Sequence, residues 1–149
     1  MGSAPAGYSG TPVWKKLGVK PGGRLLLLRA PRGWSAGELP DGARQARARP
    51  AAAAAAPERA GGTRDVTLFF AQARAELATA IEPLSARVFP AGALWIAWPR
   101  RAAGHASDIR EQDLRDLALP LGLVDNKVAA LDADWSGLRL VWRTELRAG

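Results

Sequence analysis

The 149-residue sequence predicts an α/β chain of three layers, with a mostly parallel β-sheet between helices and an antiparallel pair of strands at its C-terminal end. Three observations carry that expectation. Short, wholly apolar runs such as Leu25-Leu26-Leu27-Leu28 and Leu94-Trp95-Ile96-Ala97-Trp98 suit strands buried on both faces, as strands of a helix-covered parallel sheet are. Segments of helical period stand between these runs. The last two runs are joined only by Asp132-Ala133-Asp134-Trp135-Ser136-Gly137, which is too short for a crossover and fits a hairpin.

Taken in order, residues 1–10 form a flexible start, and Thr11-Pro12 opens a short helix whose Val13, Trp14 and Leu17 face a core before Gly18 ends it. A Gly/Pro turn, Lys20-Pro21-Gly22-Gly23, leads into a first strand over residues 24–30. Residues 43–62 read as a low-complexity excursion within one domain spanning 11–149. In it Arg44, Arg47 and Arg49 precede six alanines between Pro50 and Pro57, with room for a frayed second strand, and it is expected to be the most mobile part. Asp65-Val66-Thr67-Leu68-Phe69-Phe70 is a β-branched and aromatic run of strand length. Leu77, Ile81, Leu84 and Val88 recur at helical spacing, with Pro83 as a kink or restart. After the strand over residues 92–98, Ser107 or Asp108 caps another helix, with Glu111 and Arg115 paired four residues apart and Gly122 as the stop. Residues 123–131 and 138–142 are the closing strands. Alternating strand and helix, with right-handed crossovers, gives a Rossmann-like architecture.

Composition narrows the chemistry. There is no cysteine and a single histidine, His105, so disulfides, thiolate metal sites and a zinc centre are not expected. The N-terminus lacks the basic start and apolar run of a secretory signal, and no apolar stretch approaches the roughly 20 residues that span a bilayer. A cytoplasmic protein with no membrane contact is the expectation. The net charge of +7 is lopsided: residues 1–64 hold 11 Lys and Arg against 3 Asp and Glu, whereas residues 65–149 hold 10 against 11. An anionic partner would account for the asymmetry. So would a bias in residue usage, because arginine outnumbers lysine 17 to 4. Nucleic acid is disfavoured, since the interleaving of aromatic and basic residues typical of single-strand binders is absent.

Several motifs fail on position. Residues 18–23 have phosphate-loop spacing, but the segment precedes its strand and Arg24-Leu25 replaces Lys and Ser/Thr. Asp132-Ala133-Asp134 begins like a calcium loop, yet Arg143 stands where a bidentate glutamate is required. His105, Ser107 and Asp108 are too close in sequence for a nucleophile triad, and there is no nucleophile elbow.

The order Gly-Val-Lys-Pro-Gly, apolar strand, turn and closing hairpin resembles a shortened class I S-adenosylmethionine-dependent methyltransferase. Gly7-Tyr8-Ser9-Gly10-Thr11-Pro12, Lys15-Lys16-Leu17-Gly18, Leu94-Trp95-Ile96-Ala97-Trp98-Pro99, Leu121-Gly122-Leu123-Val124-Asp125-Asn126-Lys127-Val128 and Trp135-Ser136-Gly137-Leu138-Arg139 resemble, more closely, a family of short bacterial proteins of unknown function common in actinobacteria. The second resemblance implies a fold and no reaction. The first implies a glycine-rich cofactor loop after the first strand, and here the sequence departs. Leu27 stands at the acidic position, Arg29 and Pro31 at the first two glycines, and only Gly33 matches the third. Arg29 adds bulk where backbone must approach a ligand, Pro31 removes an N–H, and the arginines oppose a cationic sulfonium. The acidic residue that ends the second strand in that family has no counterpart in residues 42–49.

The expected site follows from the fold, because open α/β sheets bind ligands beyond the carboxyl ends of their strands where strand order reverses. If the first strand and the Trp95 strand bracket that point, Arg29, Arg32, Arg100 and Arg101 give charge-assisted contacts, Trp34 stacks, and His105 lies at the mouth. Tyr8, Ser9, Gly10, Lys15 and Lys16 would form a lid, with Asp125, Asn126 and Lys127 as local support. The expected function is a non-catalytic binding or regulatory module with a cationic crevice for an anionic small molecule or an acidic protein segment, with no cofactor and no metal. Two alternatives stand beside it: a divergent S-adenosylmethionine-dependent methyltransferase in the same crevice, and a structural protein-interaction module using Trp135 and Trp142 of the hairpin.

Overall fold

The computed structural model describes residues 11–48 and 59–147. Helix α1 (Val13–Leu17) follows Pro12, whose φ of −55° sets the entry, and ends at Gly18 in the left-handed region. The strands are β1 (Arg24–Leu28), β2 (Arg44–Ala48), β3 (Asp65–Phe70), β4 (Ala93–Pro99), β5 (Leu123–Ala130) and β6 (Trp135–Trp142). Helix α2 (Arg74–Val88) connects β3 to β4, and α3 (Glu111–Ala118) connects β4 to β5. A one-turn helix α4 (Thr144–Arg147) follows β6.

Among the described residues, the six strands form one sheet in the order β2-β1-β3-β4-β6-β5. The pairs β1–β2, β1–β3 and β3–β4 are parallel; β4–β6 and β5–β6 are antiparallel. The mostly parallel α/β sheet with an antiparallel C-terminal pair is therefore the architecture the sequence predicts. The first strand and the Trp95 strand do not by themselves bracket the reversal: β3 lies between β1 and β4, and the order reverses between β1 and β3. After β1 the chain steps outward to β2, then returns to the other side of β1.

The sheet separates two cores. On one face α2 and α3 bury Leu77, Ile81, Leu84 and Leu114 against Leu28, Phe69, Leu94, Ile96 and Leu138. On the other, α1 and the segment after β1 bury Leu17, Val19, Trp34 and Ala36 against Leu25, Leu27, Leu68, Phe70 and Trp95. The alternation within single strands is direct: Phe69 faces the first core while Leu68 and Phe70 face the second, as the two-residue period of a strand requires. Trp95 Nε1 donates to Leu17 O at 3.0 Å, tying α1 to the middle of the sheet.

Local differences from the sequence expectation have simple causes. Residues 44–48 form a full parallel edge strand, with the first four exposed, so its apolar content is low although its backbone pairs. The alanine run of the excursion and the flexible start over 1–10 lie outside the described residues. Pro83 sits inside α2 without dividing it. Asp108 does not cap α3; its Oδ1 accepts the Arg74 N–H at the start of α2, at 2.8 Å. Asp113 takes the cap of α3 by accepting the Arg110 N–H. Strand β6 begins at Trp135, because Asp132 Oδ1 accepts the N–H of both Asp134 and Trp135 and completes the turn earlier. Among the described residues, no helix is long and apolar enough to cross a membrane.

At the amino end of the sheet, Arg24 Nε donates to Asp65 Oδ1 at 2.8 Å, joining β1 to β3. That hydrogen bond is the main reason the Asp65 carboxyl titrates below its ordinary value of 3.8, with burial opposing and the Gly62 N–H assisting. A depressed carboxyl pKa stabilises the fold above the unfolded-state value, and this is lost as pH falls through the folded-state value. Asp65→Asn is therefore expected to lower stability near pH 7, with the gap to the parent narrowing at about pH 3; urea denaturation at both pH values measures it, and a pH-independent gap contradicts it. Leu68 is fully buried in the middle of the sheet. Leu68→Ala is expected to cost about 3 kcal/mol in the same assay.

Candidate functional site

Because β1, β3 and β4 run in parallel, their carboxyl ends open on one edge of the sheet, and a cleft of about 430 Å³ lies there. Pro31 after β1, Gln72 after β3, Pro99 at the end of β4, His105 and Ala106 after it, Asp134 from the β5–β6 turn and Trp135 at the start of β6 line it. Under the cleft an aromatic trio closes the carboxyl end of β3. Phe70 packs edge-to-face on Trp34 and on Trp135, with ring centroids 4.9 and 5.0 Å apart. Trp34 Nε1 donates to Asp132 Oδ2 at 2.8 Å, which joins the segment after β1 to the hairpin turn.

His105 Nε2 and Asp134 Oδ1 are 2.9 Å apart, and both side chains are well exposed. This pair joins two loops 29 residues apart. It exists because β4 and β6 are neighbours: the Arg100 N–H donates to Asp134 O at 2.8 Å, and the His105 N–H to Arg100 O. An imidazole held by a carboxylate at the mouth of a cleft can carry a positive charge or exchange a proton with a bound molecule.

The reversal of strand order between β1 and β3 is crossed by another pair. Arg29, at the end of β1, has φ of 61°. Its Nη2 donates to Glu76 Oε2 at 2.6 Å. Glu76 lies in the first turn of α2, and its Oε1 accepts the N–H of Gln72 and of Ala73. One carboxylate thus caps α2 and holds Arg29 across the gap. A non-glycine residue in the left-handed region costs of order 1 kcal/mol, and the ion pair is one contact that offsets it.

The expected site residues fall into several groups. His105 lines the cleft; the exposed Arg32 follows the lining Pro31 in sequence, and the exposed Arg101 lies two residues after the lining Pro99. Arg101 Nη2 donates to Ser107 O at 2.6 Å. Arg29 lies at the reversal point but is engaged by Glu76. Arg100 is 7% exposed and its Nη1 donates to Asp132 O and Ala133 O, so its guanidinium holds the hairpin turn. Trp34 is also buried and packs where stacking on a ligand was expected. Lys15 and Lys16 are on or under α1, where they meet Lys127. Asp125, Asn126 and Lys127 do not act as one unit: Asp125 accepts from Arg115 of α3, Asn126 falls at an irregularity in the β5–β6 register, and Lys127 pairs with Arg139. Tyr8, Ser9 and Gly10 lie outside the described residues.

Sequence reasoning missed Gln72, Glu76 and Asp134. Glu76 carries a readable signal, an acidic side chain in the first turn of a helix beginning just beyond a strand. Asp134 carries none, since its meeting with His105 depends on strand order. Asp132→Ala removes an acceptor from the Trp34 indole and from two backbone N–H groups, and is expected to destabilise the chain by about 1–3 kcal/mol. Chemical denaturation followed by tryptophan fluorescence measures this.

No family model matches the chain. No curated protein matches it either. Among solved structures, the chain is similar to a SAM dependent methyltransferase from Aquifex aeolicus, with a TM-score of 0.53 at 12% identity and 86% of each chain covered. At that identity the similarity shows a shared fold, the methyltransferase-like arrangement of sheet and helices.

Proposed function

We propose that this chain is a binding module on a methyltransferase-like fold that does not transfer methyl groups, and that its carboxyl-edge cleft receives a small anionic molecule. The observation that carries this reading is the Arg29–Glu76 ion pair across the reversal of strand order. A nucleoside cofactor in such a fold lies against the backbone after β1. Here an arginine side chain and its partner occupy that approach.

The residues present do not fit S-adenosylmethionine. Leu27, at the position of the motif's acid, is fully buried in the core beside α1, so no carboxylate is available there. Pro31 supplies no N–H and lines the cleft. Gly33 retains a left-handed φ of 78°, the one glycine feature of the loop that survives. A sulfonium would also meet Arg29, whose charge is of the same sign.

The anionic ligand is supported by the donors in and near the cleft. His105 Nε2 lines the cleft and can donate to a ligand carboxylate in place of Asp134, and the exposed Arg32 and Arg101 lie close in sequence to the lining Pro31 and Pro99. The cleft volume suits a small molecule. An acidic segment of another protein is the competing occupant.

A methyltransferase reading keeps one supporting observation, the shared fold. Calorimetry separates the two. S-adenosylmethionine and S-adenosylhomocysteine are expected to give no saturable heat, whereas citrate is expected to bind and to lose at least tenfold in affinity in Arg101→Glu. Micromolar binding of either adenosyl compound overturns the proposal, and so does citrate affinity unaffected by Arg101→Glu.

A further inference from the structure

A second opening, of about 580 Å³, lies between α1 and the edge strand β5. Thr11, Lys15 and Lys16 line one side, and Lys127, Val128 and Ala130 the other. The two sets are more than a hundred residues apart in sequence and are fastened by reciprocal bonds. Lys16 Nζ donates to Ala130 O at 2.6 Å, and Lys127 Nζ donates to Lys16 O at 3.0 Å. One strand further in, Arg139 of β6 stands in register with Lys127. Directly opposed residues of an antiparallel pair share a face, so these two cations lie on the α1 side together.

We propose that this groove is an anion site for the phosphate groups of a small phosphorylated molecule. Like charges opposed across two strands destabilise the pairing, and two further lysines on α1 add to the repulsion. A polyanion seated between α1 and β5 converts that repulsion into attraction. Lys15 is exposed on α1, and the ends of Lys15 and Lys127 give donors from two sides of the groove. Lys16 is 7% exposed and serves as the fixed floor. Burial is the main influence that lowers its pKa from the ordinary 10.5; Asp132 opposes the shift, while Arg100 and Lys127 add to it. A phosphate beside these groups favours their charged forms. Phosphate fits better than a lone carboxylate because several oxygens can each accept from a different ammonium. The groove is distinct from the cleft at the ends of β1, β3 and β4, and the inference does not depend on what the cleft binds.

The test is calorimetric titration of the full chain with inorganic pyrophosphate, using the parent, the double variant Lys15→Glu/Lys127→Glu, and Arg101→Glu. Lys16 is left intact, because changing a buried residue would confuse binding with folding. The parent is expected to bind saturably. The double variant is expected to lose at least tenfold in affinity while keeping its circular dichroism spectrum and thermal midpoint within a few degrees. Arg101→Glu, altered at the cleft, is expected to retain the saturable component that the double variant loses. Absence of binding by the parent overturns the proposal, as does equal affinity in the double variant. Loss confined to Arg101→Glu moves the site to the cleft and overturns it too. A single-stranded oligonucleotide that binds in the groove where pyrophosphate does not overturns the assignment to a small molecule.

Discussion

Strand β3 is hydrogen-bonded in register to β1 on one side and to β4 on the other, and the position of the cleft at the carboxyl edge of the sheet follows from that placement. Because the connection from β2 must return across β1 to reach β3, two loops leave the sheet in opposite directions at adjacent strand ends. A gap opens between them. The same strand supplies both cores with side chains on alternate residues, so moving its register by one residue would exchange Leu68 and Phe70 with Phe69. The core therefore fixes the pairing, and the pairing fixes where the gap lies.

At the gap an arginine side chain stands where the methyltransferase resemblance implies a glycine-rich loop. A glycine-rich loop leaves backbone donors facing outward. Here an arginine in the left-handed region extends to the capping carboxylate of α2, and the nearest cleft moves toward the ends of β3 and β4 and the hairpin turn. Trp135 lines it with Phe70 and then Trp34 packed behind, and Asp132 ties Trp34 to the turn. Arg100 holds the same turn from below through two carbonyls. The buried arginine and the buried tryptophan are parts of the frame, and among the described residues of the expected site His105 is the one that lines the cleft.

Much of the fold was legible because it rests on local patterns. The apolar tetrapeptide of β1, the β-branched run of β3 and the two-sided run of β4 mark strands by composition, and Leu77, Ile81, Leu84 and Val88 mark α2 by period. Strand β2 was hard to see because Arg44-Gln45-Ala46-Arg47-Ala48 is exposed at an edge and held by backbone pairing more than by burial. The site was less legible, since it depends on which strands are neighbours. His105 meets Asp134 only because β4 pairs with β6, and Lys16 meets Lys127 only because α1 crosses to β5. Charge and aromaticity do not reveal burial, so Trp34 and Arg100 read as ligand-facing in the sequence, whereas both make hydrogen bonds inside the protein.

The central claim is that the Arg29–Glu76 pair keeps an adenosyl group from the backbone after β1. Backbone amide chemical shifts recorded while S-adenosylhomocysteine is added test it most directly. The account predicts no saturable change over residues 28–33 or 72–76. Saturable shifts in both segments at once would show a nucleoside seated between β1 and β3 and would contradict it.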